Sequence, residues 1–95
     1  MKIVGIGIIE EAAMKYPDTK RSLNAWRVLV EKSNWSKPPD IKDQFGSADI
    51  LKNKQVIFNI RGNNFRLLTK VDYQAKVVLV KRFGTHNEYN TWRLD

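Results

Sequence analysis

The sequence predicts an α+β domain in which helices lie beside a mostly antiparallel sheet, in the order β-α-α-β-β-β-α. Three observations predict it. Apolar residues recur at helical spacing through the first half of the chain, strand-like alternation fills the second half, and glycine, proline and asparagine punctuate the joins.

Met1 to Val4 form a short strand that ends at Gly5 or Gly7. From Ile8 the period changes. Ile9, Ala12, Ala13 and Tyr16 recur at i, i+3, i+4 and i+7, while Glu10, Glu11 and Lys15 take other positions, as on an amphipathic helix that Pro17 stops. Asp18 or Thr19 caps a second helix, where Leu23, Trp26 and Val30 share one face with Leu29 beside them. Ser33, Asn34, Ser36 and the Pro38–Pro39 pair break the pattern. A short helical turn follows, capped by Asp40, with Ile41 and Phe45 stacked before Gly46.

The sheet begins with Gln55 to Arg61, which places Val56, Phe58 and Ile60 on one face and Ile57, Asn59 and Arg61 on the other. Gly62 and Asn63 suit the positive φ of a tight hairpin turn. A second strand, Asn64 to Val71, sets Phe65, Leu67, Thr69 and Val71 against Arg66, Leu68 and Lys70. Asp72 to Ala75 is the next turn, Lys76 to Phe83 is a third strand, and Gly84 ends the sheet. The final segment, Thr85 to Leu94, is helical, and Thr85 with Glu88 has the form of a capping box.

The chain has 95 residues, a length expected of one domain spanning 1–95, with 42% hydrophobic and 11% aromatic residues, which argues against wholesale disorder. Lys and Arg number 17 against 10 Asp and Glu, a net charge of +7 that favours a polyanionic partner, nucleic acid first. There is no cysteine, which excludes a disulfide scaffold, a zinc ribbon and a thiol nucleophile. With one histidine and scattered acids, neither a metal nor another cofactor is expected. The longest apolar run, Ile3 to Ile9, falls far short of the roughly 20 residues of a membrane span. Glu10 and Glu11 close it without a cleavage site, so a cytoplasmic protein with no membrane role is expected. Gly5-Ile6-Gly7 is not followed by a Walker lysine or a dinucleotide fingerprint.

Basic residues inside strands carry the functional reading. Arg66 and Lys70 project from the face opposite Phe65; Lys81 shares a face with Val77 and Leu79, and Arg82 points the other way. Lys52 and Lys54 precede the first hairpin strand and Arg61 closes it. Helices on one side of a sheet and cations on the other make a concave positive surface for phosphates. The plainer reading is a set of solvated side chains on a one-sided sheet. His86 and Tyr89 then fall on one helix face beside the end of the strand that carries Lys81. With Thr85 as N-cap, His86 occupies the first helical position, where free N–H groups and the dipole attract anions. Beside those cations, the pair forms an acid–base and phosphate-binding group.

Two patterns are now recognisable: Val56-Ile-Phe-Asn-Ile-Arg-Gly-Asn-Asn-Phe-Arg-Leu-Leu68 and Phe83-Gly-Thr-His-Asn-Glu-Tyr89. Together with Met1 to Lys20, Trp35 and Phe45-Gly-Ser-Ala-Asp49, they resemble the HigB family of type II toxin–antitoxin toxins, a branch of the RelE-like superfamily. The resemblance covers essentially the whole chain. It implies a RelE-like fold and an mRNA endonuclease, often ribosome-dependent, that blocks translation and is neutralised by a cognate antitoxin of helix-turn-helix type. Operator DNA would be met only through the antitoxin complex. It further implies catalytic roles for His86, Tyr89, Arg66 and Lys81, without a metal, and RNA contacts for Lys52 and Lys54. The strand pattern adds Arg61, Lys70 and Arg82 to the expected RNA-binding set. Two positions depart from the family pattern. Asn90 stands where the motif commonly has an acid, and Arg82 takes a place that is usually apolar. The alternative function is a non-catalytic basic module for ribosomal RNA or DNA.

Overall fold

The structure, a computed structural model, describes residues 1–94. Its sheet has five strands in the spatial order β1-β5-β4-β3-β2. They are β1 (Lys2–Val4), β2 (Asp49–Ile50), β3 (Gln55–Ile60), β4 (Phe65–Asp72) and β5 (Val77–Thr85). The three junctions from β2 through β5 are antiparallel, and β1 joins β5 in parallel. Four helices complete the chain: α1 (Ile6–Lys15), α2 (Lys20–Lys32), α3 (Pro38–Gln44) and α4 (His86–Tyr89). The expected α+β class is the one observed.

Alternation decides which face is covered. Val56, Phe58 and Ile60 of β3 and Phe65, Leu67 and Val71 of β4 join Ile9, Ala12, Leu23, Trp26, Val30 and Ile41 of the helices in one core. Phe58 is its centre, with the rings of Trp26, Trp35 and Phe45 at 5.4, 6.1 and 5.1 Å. The opposite face of β4 presents Arg66, Leu68 and Lys70.

Several expectations are corrected. Leu68 pairs with Arg82 but the next residue, Thr69, pairs with Val80, so Lys81 is an extra residue bulged out of β5. The bulge shifts the alternation by one. Arg82 therefore lies on the same face as Leu68, not opposite Lys81, and Phe83 turns inward to stack on Phe65 at 5.4 Å and meet Tyr16 at 6.1 Å. Gly84 pairs with Arg66 within β5 and does not end the sheet. In the β3–β4 turn the positive φ values fall at Arg61 (53°) and Gly62 (64°), one position earlier than Gly62 and Asn63.

The caps differ as well. The Thr19 hydroxyl donates to the Tyr16 carbonyl and, like Asp18, does not cap α2, because a 3-10 turn, Pro17–Thr19, leads directly into it. Asp40 sits inside the first turn of α3, where its carboxylate accepts from the Ser36 and Lys37 N–H groups. These bonds, the Ser36 one foremost, hold its carboxyl below the ordinary range. The last helix is a single turn, since residues after Tyr89 bend back toward the sheet. The strand β2 has no counterpart in the expected order.

The β1–α1 junction is tight. Gly5 has φ 97°, and a Cβ there would lie 2.6 Å from the Val80 carbonyl oxygen of β5. Gly5→Ala is expected to lose about 1–2 kcal/mol from the left-handed backbone alone, and more from displacing β5. Urea denaturation of the purified variant checks this; an unchanged midpoint would refute the close approach.

Candidate active site

Arg66 sits between Gly84 of β5 and Asn59 of β3 in register. It is 8% exposed, which is rare for an arginine. Its Nη1 donates to the carbonyls of Asn63 (2.8 Å) and Phe65 (3.2 Å), and its Nη2 lies 2.9 Å from His86 Nδ1. The guanidinium carbon stands 5.4 Å from the centroid of the Tyr89 ring. No carboxylate among the described residues forms an ion pair with it. Arginine only donates, so the Nδ1 of His86 must accept, and the proton of the neutral ring is assigned to Nε2. An exposed His86 thereby keeps an N–H donor directed away from its arginine partner.

Local sequence explains why the helix ends up there. The Thr85 N–H donates to Glu88 Oε1 at 2.8 Å and the Glu88 N–H to Thr85 Oγ1 at 3.1 Å, closing the expected capping box. The His86 N–H then bonds the Asn64 carbonyl in the β3–β4 turn at 2.9 Å. That bond ties α4 to the strand carrying Arg66. The N–H of Thr85, ahead of its hydroxyl and the charges of Lys15 and Arg82, holds the Glu88 carboxyl below its ordinary 4.5 against a smaller opposing effect of desolvation.

Beside this cluster lies an open groove of about 620 Å³. Lys54, Lys70, Lys81, Arg82 and Arg93 line it, Leu68 is among its apolar residues, and no acid among the described residues contributes to the lining. Five like charges with no counter-charge among the lining residues repel one another, an arrangement suited to a polyanion. Lys52 lies in the neighbouring hollow with Leu51, Gln55 and Leu94.

Arg66, His86 and Tyr89 are thus brought together, and Lys54, Lys70, Lys81 and Arg82 share the groove beside them. Arg61 is not among them. It sits in the turn with its side chain directed to the helical layer, where Nη1 pairs with Asp18 at 3.2 Å. Positive φ at Arg61 takes it out of the strand alternation that would have put it on the basic face. Arg93 and Trp92 were missed, because a continued helix would have carried them away from the sheet. Tyr89 and Trp92 meet edge to face at 5.6 Å, and Arg82 lies 4.9 Å from the Trp92 centroid. The i, i+3 spacing of those two rings was the available signal. Among the described residues, no three or more His, Cys, Asp or Glu side chains are grouped to hold a metal ion. No helix among them is long and apolar enough to cross a membrane.

Nitrogen NMR at a pH where the imidazole is neutral is expected to show His86 protonated at Nε2 and not at Nδ1; the reverse tautomer would rule out the Arg66 bond. A lowered folded-state value means the Glu88 box contributes fully above the carboxyl's ordinary range and is lost as pH falls through the folded value. Glu88→Gln should accordingly flatten the acid limb of stability, read as thermal midpoint against pH, and an unaltered limb would contradict it.

The model of the HigB toxin family, a RelE-like toxic component of a toxin-antitoxin system, matches residues 19–92. The mRNA interferase toxin HigB of Escherichia coli (strain K12) and the mRNA interferase HigB of Shigella flexneri are each 30% identical over 92 residues, covering 95% of this chain and 88% of theirs. The mRNA interferase HigB of Escherichia coli O6:H1 is 28% identical over 92 residues, covering 95% and 89%. A helix-covered sheet with a basic outer face, a capped Thr-His-x-Glu-Tyr turn and a match over most of its length together make this chain a member of the HigB family of RelE-like toxins.

Proposed function

We propose that the chain, as one toxin domain, is an mRNA interferase that cleaves messenger RNA and is neutralised by a cognate antitoxin. One observation carries the reading: a buried arginine without a carboxylate partner among the described residues holds a histidine at 2.9 Å and a tyrosine ring at 5.4 Å, beside a groove lined with cations. The names of its relatives, mRNA interferases, support the same reading.

The RNA supplies its own nucleophile. The 2′-hydroxyl loses its proton and attacks the adjacent phosphorus, the P–O5′ bond breaks, and O5′ takes up a proton. The products are a 2′,3′-cyclic phosphate and a 5′-hydroxyl. Charge on the non-bridging oxygens grows in the transition state, and preorganised donors facing it lower the barrier. Arg66 has five N–H donors and directs three to the protein, so two remain for phosphate. His86 adds its Nε2–H. Tyr89, whose hydroxyl both accepts and donates, shares the acid–base work with His86. Lys81 supplies further positive charge from the groove. Lys52, Lys54, Lys70, Arg82 and Arg93 hold the flanking phosphates of the strand. The ribosome presents the message, the antitoxin is of helix-turn-helix type, and operator DNA is reached only through their complex.

Translating extracts with and without the protein should show new mRNA ends only in its presence. Arg66→Ala, His86→Ala and Tyr89→Phe should each lower the cleavage rate, by about 10²–10³ for Arg66→Ala. Lys70→Ala should weaken RNA binding and reduce its salt slope by about 1. Binding without any new ends would favour the non-catalytic module, and undiminished cleavage by both Arg66→Ala and His86→Ala would overturn the assignment.

A further inference from the structure

Trp92 follows the Thr-His-x-Glu-Tyr turn and touches three residues of the site. Its indole rests against Gly84, where a Cβ would come within 2.8 Å of the ring. It meets Tyr89 at 5.6 Å with planes at 84°, and the backbone N–H of Trp92 donates to the Tyr89 carbonyl at 3.0 Å. The guanidinium of Arg82 lies 4.9 Å from its centroid. Trp26 and Trp35 are 2% exposed and belong to the core, whereas Trp92 is only half-buried, on the face the RNA would use.

These contacts form one continuous series. Arg66 stands 5.4 Å from the Tyr89 ring, Tyr89 stands 5.6 Å from Trp92, and Trp92 stands 4.9 Å from Arg82. Cation, ring, ring and cation follow each other from the buried arginine to the groove. The electron-rich face of an indole attracts a guanidinium, and an edge-to-face pair fixes the relative tilt of two rings. Arg82 depends on that attraction. It lines the groove with four other cations and makes no hydrogen bond or ion pair among the described residues, so the indole face and the charge of Glu88 are what oppose the repulsion.

We propose that Trp92 is a positioning residue for RNA cleavage, holding the Tyr89 ring over Arg66 and the Arg82 guanidinium at the edge of the groove. The inference rests on the endonuclease reading and adds a register to it: the phosphate at Arg66 and the phosphates in the groove belong to one strand passing Trp92. Gly84 is the seat that lets the indole approach the sheet.

The test uses the full-length protein with two readouts. One is the cleavage rate in a translating extract. The other is binding of a fluorescein-labelled oligoribonucleotide, 2′-O-methylated throughout so that it cannot be cleaved, followed by anisotropy across a salt series. Trp92→Ala should slow cleavage on the order of tenfold or more through misplaced Tyr89. It should also lower the salt slope by about 1, as Arg82→Ala does. Trp92→Phe, which keeps a ring, should restore most of both. Gly84→Ala should reproduce the Trp92→Ala defect without removing a functional group. In the double variant Trp92→Ala with Arg82→Ala, binding should be no weaker than with Arg82→Ala alone, because the two act as one unit. Additive losses in that cycle, or a Trp92→Ala protein with wild-type cleavage and binding, would overturn the proposal. Should Trp92→Ala not fold, Trp92→Leu and Gly84→Ala carry the same comparison. A wild type that binds the probe and never cleaves would sink the endonuclease reading, and the Arg82 cycle would still decide the Trp92 contact.

Discussion

A guanidinium buried under one turn of helix is the constraint on which the functional face depends. An ionised group taken out of water must recover its hydration from fixed partners. Among the described residues Arg66 finds two backbone carbonyls and an imidazole nitrogen rather than a carboxylate. An ion pair would have neutralised it. Carbonyl and imidazole partners take up three of its donors and leave its charge uncancelled, and the neighbouring residues follow from that choice. Residue 84 has no side chain, which leaves room for the indole beside the arginine, and the bond from His86 to the Asn64 carbonyl ties the helix start to the same turn.

The groove obeys the opposite logic. Its cations are largely exposed and their repulsion is softened by water, so the fold tolerates the crowd while the field outside stays positive. None of the described acids lines that groove. Glu10, Glu11, Asp18, Glu31 and Asp43 belong to the helices and the turn that joins two of them. The covered layer supplies stability and the open layer supplies the chemistry proposed for a toxin of this family.

Periodicity made the larger part of this legible. Val56, Phe58 and Ile60 alternate and form the core side of β3; Leu23, Trp26 and Val30 recur at helical spacing and form the core side of α2. Arg66, His86 and Tyr89 were readable because the hairpin pattern and the capping box are local signals, and both are closed by bonds over a few residues. What escaped depends on long-range geometry. The bulge at Lys81 is set by pairing with a strand a turn away, and no alternation within β5 announces it. Arg61 left the basic face because a tight turn needed its positive φ. Trp92 and Arg93 reached the site because the chain bends back after a single helical turn, a choice made by contacts with Gly84 and Arg82 rather than by helix propensity.

The parallel pairing of β1 with β5 has an outcome in time as well as space. Lys2, Ile3 and Val4 are made well before their partners Val77, Val78 and Leu79. Arg66, His86 and Tyr89 also belong to the last third of the chain. β1 must wait, unpaired, until β5 has been made. The β1 edge of the sheet is therefore closed only once β5 has emerged, and Arg66, His86 and Tyr89 come together no earlier than α4.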